Sequence, residues 1–222
     1  MSYSRPVLAA IFDMDGLLVD SEPLWDRAER DILATLDIDL SRAGELPDTL
    51  GLRIDQVVRM WYETVPWNGP SLPEVTQRII TRAINLVEET RPLLPGVEHA
   101  LQLCHANGLK VGLASASPLH MLERVLELFN LRHYFAVVAS AEALPYSKPH
   151  PQVYLDAAAG LGVDPLNCVT LEDSVNGMVA TKAARMRSIV VPAAEYRDDK
   201  RWALADVKLG SLEQLARQHL VG

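Results

Sequence analysis

The sequence predicts an α/β protein: a parallel sheet with helices on both faces, interrupted by an inserted all-helical unit. Two observations predict the sheet. An apolar run, Val7 to Phe12, reads as a buried strand, and beyond Pro92 short apolar runs alternate with helix-period segments. That alternation is the pattern of βαβ units, whose sheet is covered on both sides. A third observation predicts the insert. Between Ser21 and Thr90 the apolar spacing is helical, and no convincing strand interrupts it.

Taken in order, Val7–Phe12 ends abruptly in Asp13-Met14-Asp15-Gly16. A helix follows from Ser21, with Leu24, Ala28, Ile32 and Leu36 at four-residue steps and Trp25 and Leu33 widening the stripe. Ser21 suits the N-cap, with Glu22 and Asp26 near the positive end of the helix dipole. Asp37-Ile38-Asp39 ends this helix, and a polar stretch from Ser41 to Thr49 leads to Leu50-Gly51-Leu52-Arg53. A second helix is expected over Ile54–Val65, a loop at Pro66–Pro70, and a third helix opening at Pro73. After the break at Arg91–Gly96 come helix 97–106, strand 109–114, helix 119–129, strand 136–140, helix 151–160, strand 168–171, helix 175–184 and strand 188–191. A weak strand-helix pair near 207–220 closes the chain. The expected organisation is a core from 1–20 and 92–222, with a helical cap, 21–91, spliced in after the first strand. Inserted there, the cap would lie above Asp13 and Asp15 as a candidate lid.

With 222 residues the chain can bury a substantial core. A formal charge of −8 opposes binding to a nucleic-acid backbone, which needs a basic face, but leaves room for a small anionic substrate. No apolar run approaches about 18 residues, so no membrane span is expected. The first residues lack the plan of a signal peptide, and Cys104 and Cys168 stand apart without metal-ligand spacing. Both points predict a cytoplasmic protein with reduced thiols.

Four groups of residues carry chemistry. On extended backbone Asp13 and Asp15 share a face, and two converging carboxylates require a cation or a shared proton. An acid pair of this kind also suits structural calcium or a helix cap. Ser115, with the adjacent amides of Ala116 and Ser117, ends a strand where a phosphate oxygen could be bound; capping of the next helix explains Ser115 and Ser117 equally well. Lys148 is flanked by Pro145, Pro149 and Pro151, which hold a point charge in one direction. Glu172 and Asp173 end the strand at 168–171. Adjacent residues diverge on a strand, so one is expected to join Asp13 and the other to support it, unless Asp173 or Ser174 only caps a helix.

The order acid pair, hydroxyl, lysine, acid pair, each at a strand's carboxyl end or in the loop just after it, resembles the haloacid dehalogenase-like hydrolases. The likeness runs the full length, through SEPLWDRAE, LPDTLGLRID, RPLLPGV, LASASPLHMLE, YSKPHPQVYLD and LEDSVNGM, and is to the sugar-phosphate phosphatases and β-phosphoglucomutases of that family. It implies a Rossmann-like core with an inserted cap, and a Mg²⁺-dependent phosphatase acting on hexose or hexitol phosphates such as 2-deoxyglucose 6-phosphate or sorbitol 6-phosphate. The partners implied are a small phosphorylated sugar or sugar alcohol, with no nucleic acid and no membrane, and the chain is expected to be a monomer.

The resemblance also implies the roles. Asp13 is the nucleophile, forming an aspartyl phosphate, and Asp15 is the acid and base. Asp13, the Asp15 carbonyl and Asp173 bind the metal; Glu172 supports them or binds through water. Ser115, Ala116 and Lys148 hold the phosphoryl group. In the cap, Arg53 is a candidate contact to the sugar or to a second anion, or else a surface charge starting a helix. Trp25 is a candidate apolar anchor or stacking surface, and Ser117 is tentative. The mutases of the family carry histidine where Trp25 stands and lysine-asparagine where Pro118 and Leu119 stand. Those departures favour hydrolysis over the mutase alternative. A phospho-accepting signalling module is a remote alternative, since such modules are shorter and lack a helical insert.

Overall fold

The structure, a computed structural model, describes residues 5–36 and 49–220. Its sheet comprises β1 (Ala9–Phe12), β2 (Lys110–Ser115), β3 (Val137–Ser140), β4 (Cys168–Glu172), β5 (Arg187–Val190) and β6 (Val207–Lys208). They lie in the order β3-β2-β1-β4-β5-β6, and every pairing is parallel. β1 is central, with Ala9 beside Lys110 on one side and Cys168 on the other. Its alternate residues serve opposite faces. Ala10 and Phe12 join one core with α4 (Val97–Ala106) and α5 (Leu119–Leu128). Ala9 and Ile11 join another with α6 (Gln152–Leu161) and α7 (Val175–Ala183). Phe12 is fully buried and meets Phe135 edge-on at 6.3 Å between ring centroids; truncation to alanine there would cost about 3–5 kcal/mol.

The expected sheet and its covering helices are therefore present, with element ends moved by a residue or so. The last pair is the exception. It is reduced to two-residue β6, a 3-10 turn at Leu212–Gln214 and the single turn α8 (Arg217–Leu220), in keeping with its weak apolar signal. Strand order reverses about β1, so the loops after β1, β2 and β4 open on one crevice, the place where such sheets bind ligands.

The insert contributes α1 (Glu22–Leu33), continued by a 3-10 turn at Ala34–Leu36, then α2 (Ile54–Thr64) and α3 (Leu72–Thr90). The expected helix stop at Asp37–Asp39 and the polar stretch through Asp48 lie outside the described residues. α3 starts where Ser71 accepts from the Glu74 amide, and it buries Val75, Ile79, Ile80, Ala83, Leu86 and Val87, the stripe its spacing predicts. Trp61 of α2 and Arg82 of α3 bond to Glu29 and Asp31 of α1, at 2.7 and 2.8 Å.

The two connections to the sheet run side by side. Val19 and Leu93 form an antiparallel bridge. The Asp20 amide donates to the Pro92 carbonyl and the Leu94 amide to the Leu18 carbonyl, both at 2.9 Å. Among the described residues no helix is long and apolar enough to cross a membrane. Cys104 and Cys168 are buried free thiols, both pushed up to about 12 by burial, so neither is a reactive thiolate.

Candidate active site

The floor of the crevice is built from the ends of β1 and β4 and the loop before α6. The Asp13 amide donates to the Leu171 carbonyl at 3.0 Å, the last rung of the ladder, which fixes where its side chain leaves the sheet. Lys148, almost fully buried, places Nζ 2.9 Å from Asp13 Oδ2 and 2.6 Å from Glu172 Oε1. Burial alone would lower the lysine's pKa; the Asp13 and Glu172 carboxylates overcome it and raise it, so the ammonium stays charged. Tyr154 of α6 donates its hydroxyl to the same Glu172 Oε1. Glu172 Oε2 accepts from the Asp173 amide (3.2 Å), the Ser174 amide (3.3 Å) and the Ser174 hydroxyl (3.1 Å). Gly177 in the first turn of α7 permits this seat, since a Cβ there would lie 1.8 Å from Glu172 Oε1.

Asp15 lies in the same cleft under a different set of donors. Its Oδ1 accepts from Ser21 Oγ (2.7 Å) and Trp25 Nε1 (3.0 Å). Its Oδ2 accepts from Ser117 Oγ (2.7 Å) and Ser115 Oγ (3.3 Å). Ser115 in turn accepts from the Ser117 amide at 3.0 Å. This corrects the capping alternative for both serines and for Ser21. α5 is capped at Pro118 without a side-chain bond, and Ser21 caps nothing with its hydroxyl. Ser115, Ala116 and Ser117 all line the cleft with Asp13, Asp15 and Asp173.

Ligand oxygens of Asp13, Glu172 and Asp173 lie within 4.8 Å of one another. Both members of the second acid pair thus come near Asp13, with Glu172 tied to it through Lys148. β4 ends at Glu172, so Asp173 is no longer bound to strand geometry and turns inward. Burial, then neighbouring carboxylates, pushes Asp173 well above its usual value. Asp13 is pushed up to about 7 by burial, opposed by Lys148 and reinforced by Glu172 and Asp15. A hard cation is what such a group lacks. Asp13 Oδ1 is buried without a hydrogen-bond donor, and Gly16, at φ +68°, leaves space that a Cβ would fill only 2.0 Å from Asp173 Oδ2. An all-oxygen set around an unpaired carboxylate oxygen fits a small divalent ion. Both Glu172 oxygens are already engaged, which leaves Asp13 and Asp173 as the carboxylates free to ligate.

A sequence profile of the haloacid dehalogenase-like hydrolases matches residues 7–185. The chain belongs to that family. It is 70% identical to hexitol phosphatase B of Escherichia coli (strain K12) over 222 residues, covering 100% of each chain. Among solved structures, it superposes on CbbY from Rhodobacter sphaeroides in complex with phosphate with a TM-score of 0.85 at 26% identity, covering 96% of this chain and 99% of that one. β-Phosphoglucomutase from Clostridium difficile gives 0.80 at 25% identity, covering 96% and 95%. The hydrolase family and parallel-sheet fold expected from the motifs are confirmed, which sets aside the signalling-module alternative.

Within this family member, the helical insert supplies the ceiling of the cleft. Glu22, Trp25 and Glu29 of α1 line it, as do Leu52, Ile54 and Val57. Two sequence readings need correction here. Trp25 packs its ring against the core, yet its indole N–H is used on Asp15, so it is not a purely apolar anchor. Arg53 does start α2, at its N-cap, but it is not an idle surface charge. Its Nη1 donates to the carbonyls of Ala141 (2.8 Å) and Leu144 (2.7 Å), and its Nε and Nη2 grip Asp55 at 2.6 and 3.0 Å. With Asn176 Nδ2 donating to the Leu50 carbonyl at 2.8 Å, it clasps the insert to loops of the core.

Sequence reasoning did not single out Tyr154, which bonds Glu172, or place Glu22 and Glu29 on the cleft that they line. Burial, with Asp15 and Asp13 nearby, pushes Glu22 up to about 8. The one signal for the two acids was their spacing with Trp25, at i, i+3 and i+7, on a single helix face.

Proposed function

We propose that the protein is a Mg²⁺-dependent phosphatase of hexose and hexitol phosphates that works through an aspartyl phosphate on Asp13. The observation that carries this reading is the division of labour between the first two acids. Asp13 is held by an ammonium and keeps one oxygen open, whereas Asp15 is held wholly by neutral hydroxyl and indole donors. The first arrangement suits a nucleophile and ligand, and the second orients a carboxyl in the same cleft without tying it to a cation, where it can face the ester oxygen. The 70% identity to hexitol phosphatase B supports the substrate class.

Asp13, Asp173 and the Asp15 carbonyl would hold Mg²⁺, which when bound supplies the positive charge that lets a carboxylate approach a phosphate dianion. Lys148 adds a fixed charge beside Asp13, and Ser115 with the Ala116 amide receives phosphoryl oxygens. Asp13 attacks phosphorus, the bond to the sugar oxygen breaks, and Asp15 gives that oxygen its proton. Asp15 then takes a proton from water as the water attacks the phosphoaspartate, releasing inorganic phosphate and restoring Asp13. Glu172 and Tyr154 hold Lys148 in place.

The insert acts as a cap, 21–91, that moves on the paired connections at Val19–Glu22 and Thr90–Pro95 and excludes water while the ester is attacked. The mutase alternative has less support, because a bisphosphate needs a cation in the cap and, among the described residues, the candidate Arg53 is engaged elsewhere. The proposal includes a monomer acting in the cytoplasm.

A metal-supplemented screen of phosphate release across hexitol, hexose and pentose phosphates tests the reading. Hexitol and hexose 6-phosphates should head the ranking, and excess chelator should abolish turnover. Conversion of glucose 1-phosphate to 6-phosphate without phosphate release would establish the mutase instead.

A further inference from the structure

The ceiling of the cleft carries two carboxylates that the mechanism above does not use, and the more distant, Glu29, is built in an unusual way. Its Oε2 accepts from Trp61 Nε1 at 2.7 Å, and Trp61 is itself buried, so the carboxylate is fixed in direction. Among the described residues Oε1 accepts from no donor, although Glu29 lines the cleft together with Asp13, Asp15 and Ser115. Burial pushes this group up to about 7. Glu29 is half-buried and Oε1 is not sealed from water, so a ligand hydroxyl entering the cleft can take the place of water as its donor.

The position of Glu29 says which part of a ligand that would be. Trp25, one turn earlier on the same face of α1, touches Asp15 and so marks the height of the reacting ester. Glu29 lies four residues on, about 6 Å along the helix axis, several carbon–carbon bonds from the ester oxygen. Leu52, Ile54 and Val57 line the cleft with it and can face the carbon chain. Among the described residues that line this end the charged side chains are carboxylates, and Arg53, the nearby described cation, is bound to Asp55 and to the Ala141 and Leu144 carbonyls.

We propose that Glu29 determines specificity by accepting hydrogen bonds from the hydroxyls at the unphosphorylated end of the substrate and by repelling esters that carry a second anion there. The inference rests on the sugar-phosphatase reading and adds to it the residue and the chemistry that select the polyol.

The test compares wild type, Glu29→Gln and Trp61→Phe on sorbitol 6-phosphate, its analogue lacking the far terminal hydroxyl, fructose 1,6-bisphosphate and p-nitrophenyl phosphate. Glu29→Gln should lower kcat/KM for sorbitol 6-phosphate about 10- to 100-fold. It should leave p-nitrophenyl phosphate within about twofold and raise the relative rate on the bisphosphate. Trp61→Phe, which frees the carboxylate without removing it, should give a smaller loss with the same substrate pattern. The wild type alone should lose about 10-fold on the deoxy analogue, a measurement that needs no variant to fold. If Glu29→Gln depresses the aryl and sugar esters equally, or if the wild type ignores the missing hydroxyl, Glu29 is only a strut for Trp61 and the inference fails. A wild type that hydrolyses p-nitrophenyl phosphate but no sugar phosphate would instead overturn the function proposed above.

Discussion

The floor and the ceiling of this cleft are both rich in carboxylates, yet they are finished to different degrees. On the floor, Glu172 has donors on both oxygens, and Lys148 is pinned between it and Asp13 in an almost dry setting. On the ceiling, Glu22 and Glu29 are partly buried, and among the described residues only the Trp61 indole donates to either. The difference teaches where the free energy of recognition is placed. A floor whose Lys148 and Glu172 are fixed before substrate arrives gives a set attacking geometry, which speeds the chemical step for any phosphate ester. A ceiling left incomplete is finished by the substrate, and so it discriminates.

The largest expected effect breaks the floor. Asp13→Asn removes the proposed nucleophile and a ligand oxygen together, and should lower kcat by roughly 10⁴- to 10⁶-fold on every ester; steady-state phosphate release checks it, and activity above a hundredth of wild type would refute the role. Asp15→Asn should be milder, about 10²–10⁴-fold, and should depend on the leaving group. A nitrophenolate leaves without a proton, so rapid quench should show a burst of nitrophenol near one per site, while a hexose 6-phosphate gives almost none. Equal impairment of both esters would mean that Asp15 is not the acid.

Between floor and ceiling sits the Arg53 clasp. Arg53→Ala removes charged hydrogen bonds to two carbonyls and should raise KM for sugar phosphates about 10-fold while changing p-nitrophenyl phosphate less. An unchanged KM would place the clasp outside the closing motion. The smallest effect concerns pH. Glu29 is raised from 4.5 to about 7 in the folded protein, so between those values the folded state holds a proton that the unfolded chain has lost. Stability from this group therefore declines as pH climbs through that window. Glu29→Gln lacks the decline, and its Tm should gain on wild type by a few °C between pH 5 and pH 8. A constant difference across that range would show that burial does not perturb Glu29.

What could be read from the sequence follows the same division. Asp13 and Asp173 were legible because strand ends are legible, and Lys148 because prolines flank it on both sides. The end of an apolar run followed by a turn says where a side chain emerges and on which edge of the sheet. The ceiling was not, because it depends on how a helix face is rolled and what lies opposite. Glu22 and Glu29 look like any solvated helix acids until Trp61, far along the chain, is seen to donate to one of them. Ser21 has the sequence of a cap, and only the fold turns its hydroxyl to Asp15. Arg53 was misjudged for a related reason, since its partners Ala141 and Leu144 belong to a loop whose proximity no local pattern encodes.

The central place of β1 has a consequence for how the molecule comes into being. The strand that delivers Asp13 is translated first, but its neighbours are the segments beginning at Lys110 and Cys168. At ribosomal speeds of about 5–20 residues per second, an apolar strand waits on the order of ten seconds without a sheet to join. The helices of the insert emerge meanwhile, with local contacts that form quickly. The antiparallel bridge between Val19 and Leu93 can then bring the two ends of that helical unit together before the sheet exists. A nascent chain arrested once Pro95 has left the ribosome should already protect α1 and α3 from proteolysis while Ala9–Phe12 remains open to a chaperone.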